Sequence, residues 1–176
     1  MTNILLSTYD FSNDNCYSKL KEHLKPNMRV VIVPFSHDLL YYKKEKLFNS
    51  LYDYEKGKDY NIICKEFYQF GIEKENVYVL NPFRDTKAYM KYRINKADVV
   101  FFTGGNPITF MKLIKRFGVF EDLMNFKGIT IGASARHNDS TRGVYDLLST
   151  LGEISLHVFQ GARLRKRNRC SSSLDK

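Results

Sequence analysis

Cysteine is scarce in this sequence: only Cys16, Cys64 and Cys170 occur among its 176 residues. They are far apart, form no C-x-x-C pair and have no finger-like spacing with histidine, which excludes a disulfide scaffold and a zinc finger. Long apolar runs are also lacking, because no stretch approaches the roughly 20 apolar residues of a membrane-spanning helix and the N-terminus has no basic leader. We therefore expect a cytoplasmic protein with free thiols, without export or membrane insertion.

The composition is typical of one globular domain. The chain is 43% hydrophobic and 27% charged, and it contains 13 Phe and 12 Tyr, which is enough to bury a core without disulfides. We expect residues 1–162 to form one α/β domain and residues 163–176 to form a basic, flexible tail.

Basic residues outnumber acidic ones by 28 to 19, which gives a net charge of +9. Five of the basic residues lie within positions 163–169, whereas most of the chain mixes both signs. A concentrated basic segment can bind nucleic acid, but a basic terminal run is more typical of a solvated tail. Nucleic-acid binding is therefore a minor alternative, and we do not expect it.

Short apolar runs alternate with longer amphipathic stretches along most of the chain, a pattern that favours a mainly parallel sheet covered by helices. The runs rich in Val, Ile, Leu and Phe predict strands at 3–7, 29–34, 76–80, 97–103 and 128–133. Their nearly continuous apolar character is expected of strands that are buried on both faces. The weaker runs at 144–151 and 154–159 also resemble secondary-structure elements.

The stretches between these runs contain apolar residues at helical spacing. They predict helices at 14–24, 61–70, 85–96 and 107–117. Pro107 suits the first turn of the last helix, and Asn106 is its candidate cap. Residues 37–56 are rich in Tyr, Leu and Lys, and we interpret these aromatic residues as core.

A glycine pair follows the fourth predicted strand, in the segment FFTGGNP at 101–107. Ligands of open parallel sheets bind at the carboxyl ends of strands, which is where this turn lies. Adjacent glycines let backbone N–H groups approach a ligand closely, and the helix start that follows favours negative charge. The spacing is neither that of a P-loop nor G-x-G-x-x-G, and a plain tight turn is the alternative interpretation.

A single serine, Ser134, follows the fifth predicted strand within the segment IGASA at 131–135. A strand-to-helix turn with small neighbours is typical of a nucleophile elbow, which projects the hydroxyl above the edge of the sheet. Ser134 is therefore the best candidate nucleophile. The G-x-S-x-G pattern is incomplete, because position 136 is arginine instead of glycine.

A serine nucleophile needs a base, usually histidine, and backbone donors for the developing oxyanion. His157 is the candidate base, because the end of the apolar run that contains it can approach the elbow. The other histidines are expected to be structural, solvent-facing or on the first turn after the elbow: His23, His37 and His137. Three acidic residues can orient the base: Asp146, Glu153 and, less readily, Asp139.

Three segments together resemble the dipeptidase E-like serine peptidases, the aspartyl dipeptidases, which have the cyanophycinases as relatives. They are ILLS at 4–7, FFTGGN at 101–106 and IGASA at 131–135. The resemblance covers residues 1–135, about three quarters of the chain. It implies a three-layer sandwich similar to the class I glutamine amidotransferases, no metal or other cofactor, and hydrolysis of short peptides with an N-terminal Asp. A small peptide is thus the expected partner, and a homo-oligomer is left open.

Carried over to this sequence, the resemblance makes Ser134 the nucleophile and His157 the base, and we take Asp146 as the orienting acid. The backbone N–H groups of Gly105 and Ala135 would hold the oxyanion. The substrate would be bound by Gly104, Asn106 and Arg163, with the arginine contacting the acidic side chain.

The chain departs from the family after Ala135, where strand-like composition is lost. The segment between Ser134 and His157 is also shorter than the family's. We expect a divergent C-terminal part that arose by truncation, rearrangement or a frameshift. These departures and Arg136 favour an alternative function, a catalytically inactive member of the fold that binds a ligand or partner.

Overall fold

A parallel β-sheet forms the centre of the protein. The computed structural model describes residues 2–6, 9–12, 14–133 and 156–159. The strands are β1 (Thr2–Leu6), β2 (Val30–Val33), β3 (Val77–Val79), β4 (Val99–Phe102), β5 (Ile129–Ala133) and β6 (Leu156–Phe159). Their order is β3-β2-β4-β5-β1-β6, and every neighbouring pair is parallel. The predicted α/β fold with a mainly parallel sheet is confirmed.

Helices connect the strands. They are α1 (Asp14–His23), α2 (Glu45–Tyr52), α3 (Lys58–Tyr68), α4 (Lys87–Lys96), α5 (Pro107–Arg116) and α6 (Phe120–Met124). Four of them lie close to the predicted positions, whereas α2 and α6 were not predicted. The start of α4 is two residues later than predicted, because the Thr86 side chain caps it by accepting from the Tyr89 N–H at 3.2 Å. Residues 37–56, which had no assigned structure, contain the 3-10 turn Leu39–Tyr42 as well as α2.

The helices cover both faces of the sheet, which makes the three-layer arrangement. Buried side chains of α1 and α3 pack on one face, and those of α4, α5 and α6 pack on the other. In β2 all four residues are buried, and they alternate between the two faces: Val30 and Ile32 join the first cluster, Val31 and Val33 the second. Burial on both faces explains why the strands are continuous apolar runs without polar alternation.

Aromatic packing fixes the loop that follows β1. The ring of Tyr9 lies 5.8 Å from that of Phe101, measured between centroids, and Phe11 makes an edge contact with Phe67 at 5.4 Å. Phe11, Phe67 and Phe101 are fully buried. Tyr9 is thereby held near the carboxyl end of β4, where the glycine pair begins.

Within the described residues, the longest helix is α3, with 11 residues, and no helix is both long and apolar enough to cross a bilayer. Residues 163–176, which are predicted to form the basic tail, lie outside the described residues. The extension of the domain to residue 162 stays a prediction.

Candidate active site

The glycine pair lies at the carboxyl edge of the sheet, between β4 and α5. Strands β2, β4 and β5 are adjacent and parallel, and the register pairs Phe102 with Gly132. The chain after β2 leads to β3 on one side of this pair, whereas the chain after β4 leads to β5 on the other side. Divergence of this kind between neighbouring strands opens the crevice in which ligands of α/β proteins bind.

The turn after β4 passes directly into the capped start of α5. The Asn106 side chain accepts from the N–H groups of Ile108 at 2.9 Å and Thr109 at 3.1 Å. Pro107 occupies the first turn of the helix. The predicted cap at Asn106 is confirmed. Because its amide oxygen serves the helix, its predicted contact with substrate stays a prediction.

Ser36 lies three residues beyond the end of β2, and its hydrogen bonds link the loop after β2 to the turn after β4. Its buried hydroxyl lies 2.8 Å from the Thr103 carbonyl oxygen, 2.9 Å from the Thr103 hydroxyl and 2.9 Å from the Gly104 carbonyl oxygen. In return, the Asn106 N–H donates to the Ser36 carbonyl at 2.7 Å. The loops after β2 and β4 are therefore joined by both backbone and side-chain bonds.

Gly105 adopts a conformation that only glycine tolerates in this place. Its φ is +150°, and a Cβ built on it would lie 2.3 Å from the Ser36 carbonyl oxygen. The Gly104 N–H approaches the Tyr9 hydroxyl, and the Asn106 N–H is bonded to Ser36. The intervening Gly105 N–H has no acceptor among the described residues. It is thus a backbone donor that is held in place and left open for a ligand.

Replacing Ser36 with alanine should lower the free energy of unfolding by about 2 kcal/mol, because it removes the buried hydroxyl that donates to a carbonyl oxygen of the turn. Urea denaturation at pH 7 measures the change. The matched control is Ser50→Ala, which removes an exposed hydroxyl that donates to the Leu47 carbonyl at 2.7 Å and should cost less than about 0.5 kcal/mol. Equal effects of the two substitutions would contradict the fastening role of Ser36.

A cluster of polar side chains surrounds His37 on the same edge of the sheet. Its backbone N–H donates to the Tyr42 hydroxyl at 2.9 Å, and that hydroxyl donates to the Pro34 carbonyl at 2.6 Å. The His37 Nε2 atom lies 2.6 Å from the Tyr52 hydroxyl and 3.7 Å from an oxygen of the Asp59 carboxylate. The imidazole is thus held between a phenol and a carboxylate.

Burial controls the charge in this cluster. It lowers the pKa of His37, although the nearby Asp59 carboxylate opposes the shift, so the imidazole is neutral at pH 7. Burial likewise raises the pKa of Asp59, against the opposing effects of His37 and Lys58. The pKa values of Tyr52 and Tyr9 are also raised, first by burial and then by nearby groups that include Asp59. Both phenols are neutral hydrogen-bonding groups at any ordinary pH.

The structure describes only part of the predicted catalytic set. Gly104 and Gly105 lie in the turn between β4 and α5, at the carboxyl edge of the sheet. His157 is the second residue of β6 and pairs with Ile4 of β1 in the register of the sheet. The other predicted residues lie outside the described residues: Ser134, Ala135, Asp146 and Arg163, together with the alternative acids Asp139 and Glu153. The roles of all these residues stay predictions.

Sequence reasoning missed Ser36 and the group around His37. A signal was available for two of them, because Ser36 and His37 follow a predicted strand closely and must therefore lie at its carboxyl edge. No comparable signal pointed to Tyr52 or Asp59, which reach the edge through the fold of residues 37–57. Within the described residues, no group of three or more His, Cys, Asp or Glu side chains could hold a metal ion.

Comparison with known proteins gives a similarity in fold. No protein-family model matches the chain, and no curated protein matches it. Among solved structures, the chain is similar to a crystal structure named "Putative Peptidase E Protein" from Listeria monocytogenes EGD-e, with a TM-score of 0.54 and 18% sequence identity. The match covers 76% of this chain and 59% of that one. The chain therefore has a peptidase E-like fold and spans less than two thirds of that protein's length.

Proposed function

We propose that this protein is a serine hydrolase that cleaves short peptides with an N-terminal aspartate. The observation that carries the proposal is the open Gly105 N–H at the carboxyl edge of the sheet. Acyl transfer needs a fixed backbone donor for the oxyanion, and such a donor must be in place before the reaction begins. The bonds between Ser36 and the turn supply that fixation.

The chain order supports Ser134 as the nucleophile. Strand β5 lies next to β4 and ends at Ala133, and Ser134 is the next residue along the chain. In hydrolases with a nucleophile elbow, the serine follows one strand and an oxyanion donor lies in the loop after another. Ser134 and Gly105 hold these positions along the chain, since Gly105 lies in the turn after β4. The chain is also similar in fold to a structure that is named a putative peptidase E, and this name supports a peptidase function.

The proposed reaction has two steps. The Ser134 Oγ attacks the scissile carbonyl carbon while His157 takes its proton and passes it to the leaving amine, so that the C–N bond breaks and an ester forms. Water then attacks the ester with His157 again as the base, which releases aspartate and restores the serine. Gly105 and Ala135 stabilise the oxyanion in both steps, Asp146 orients the base, and Arg163 binds the aspartyl carboxylate.

Hydrolysis of L-aspartyl-L-leucine by the purified full-length chain tests this function. L-asparaginyl-L-leucine is the matched substrate, because it has the same shape without the negative charge. We expect release of leucine from the aspartyl peptide, with kcat/KM at least about 100-fold higher than for the asparaginyl peptide. A folded, monodisperse protein that releases no leucine would overturn the proposal and favour a ligand-binding member of the fold without turnover.

A further inference from the structure

The Asp59 carboxylate lies at the carboxyl edge without a cation that matches it. Only 16% of its side chain is exposed. Within the described residues it accepts no hydrogen bond, and its ion-pair partner is His37, at 3.7 Å. The same Nε2 atom of His37 is already bonded to the Tyr52 hydroxyl at the shorter distance of 2.6 Å. A carboxylate that is largely removed from water and lacks donors is unfavourable unless something else supplies them.

The groups that face this carboxylate do not neutralise it. Burial keeps His37 uncharged at pH 7, and Tyr9 and Tyr52 are neutral phenols. Lys58 attracts the carboxylate, but its own side chain is exposed and it forms no ion pair with Asp59 in the described structure. A negative charge therefore persists at this point of a chain whose net charge is +9.

A purely structural role explains Asp59 poorly. It is the second residue of α3, where a carboxylate favours the positive end of a helix. However, an exposed carboxylate would serve the helix dipole equally well, whereas only 16% of the Asp59 side chain is exposed. The position of Asp59 is better explained by a ligand.

Two phenols connect Asp59 to the glycine turn. The Tyr52 hydroxyl contacts both His37 and the Thr103 side chain. The Tyr9 hydroxyl is approached by the Gly104 N–H and is close enough to Asp59 to be influenced by its charge. Ser36, whose hydroxyl contacts the Gly104 carbonyl, is followed directly by His37, which lies 3.7 Å from Asp59. The carboxylate and the glycine turn are therefore linked through the same loop.

We infer that Asp59 binds the α-ammonium group of the peptide substrate, with His37 and Tyr52 holding the surface around it. The inference depends on the proposed function. In a peptide that is cut after its first residue, only the α-carbon separates the ammonium nitrogen from the scissile carbonyl carbon. A carboxylate that is linked to the glycine turn through the Ser36–His37 loop is therefore suited to recognise a free amino terminus. Peptides with a blocked amino terminus should be poor ligands and poor substrates.

Calorimetric titration with L-aspartate and N-acetyl-L-aspartate tests the inference without any need for turnover. The full-length chain should bind L-aspartate about 10- to 100-fold more tightly than the acetylated form, the range expected for a charge-assisted contact. Asp59→Asn should lose this preference without lowering the affinity for N-acetyl-L-aspartate, because the dianion is no longer repelled. The control Asp53→Asn should keep the preference, because the Asp53 carboxylate accepts from the N–H groups of Glu55 and Lys56.

The outcomes separate this inference from the proposed function. A preference for L-aspartate that survives in Asp59→Asn, or a wild-type protein that binds both ligands equally or neither, would overturn the ammonium site. An Asp59-dependent preference without hydrolysis of L-aspartyl-L-leucine would support the site and contradict the enzyme. Asp59→Ser is the second variant if Asp59→Asn does not fold, and a merely structural role would weaken binding of both ligands alike.

Discussion

Replacing Ser134 with alanine is expected to lower kcat for L-aspartyl-L-leucine by a factor of about a thousand to a million, the range found when a serine peptidase loses its nucleophile. Without the hydroxyl no acyl-enzyme ester can form, and only binding and oxyanion stabilisation remain. Initial rates of leucine release under saturating substrate measure the loss. KM should change little, because the substrate contacts proposed for Arg163 and Asp59 are untouched.

Two controls test whether a loss of kcat has another cause, namely a nonspecific effect of removing a hydroxyl or misfolding of the variant. Ser50→Ala removes a hydroxyl on the exposed surface of α2 and should leave kcat unchanged. Circular dichroism and thermal unfolding show whether the Ser134→Ala variant is folded. If a folded Ser134→Ala protein keeps more than about a tenth of the wild-type rate, another group attacks the substrate and the serine mechanism is wrong.

The sheet could be predicted from the sequence because each strand carries its own signal. All four residues of β2 and all four of β4 are buried, so each strand is a continuous apolar run with no helical period. The cap at Asn106 was likewise visible, because Asn followed by Pro is a local pattern that needs no tertiary information. Local chemistry of this kind is enough to place the glycine turn at the edge of a parallel sheet.

The surroundings of that turn could not be predicted because they depend on strand order. Ser36 and Gly104 are separated by 68 positions, and they meet because β2 lies next to β4 in the sheet. The sequence alone does not reveal the order of the strands in the sheet, so it gives no reason to expect contact between Ser36 and Gly104. Asp59 was missed for a different reason: α3 begins at Lys58, three residues before the helix predicted at 61–70, so its first turn was not recognised as helical.

The second large effect is expected at Gly105, whose backbone packs closely against the Ser36 carbonyl group. Gly105→Ala should lower the free energy of unfolding by about 3 kcal/mol or more, because strained backbone costs roughly 1 to 3 kcal/mol and the new methyl group adds a collision. Its Cβ would lie 2.3 Å from the Ser36 carbonyl oxygen, which is itself held by the Asn106 N–H. Urea denaturation at pH 7 gives the change. Any folded fraction should also lose about 100- to 1,000-fold in kcat, since the oxyanion donor is displaced.

Gly118→Ala separates the collision from the backbone strain. Gly118 also has a positive φ, +70°, but a Cβ there would meet only the Lys87 side chain, at the ordinary distance of 3.7 Å. Its substitution should therefore cost about 1 kcal/mol, the conformational penalty alone, and leave kcat unchanged because it lies after α5, at the far end from the turn. If Gly105→Ala cost no more than Gly118→Ala, the loops after β2 and β4 could separate easily. The Gly105 N–H would then not be held in place, and the observation that carries the proposed function would fail.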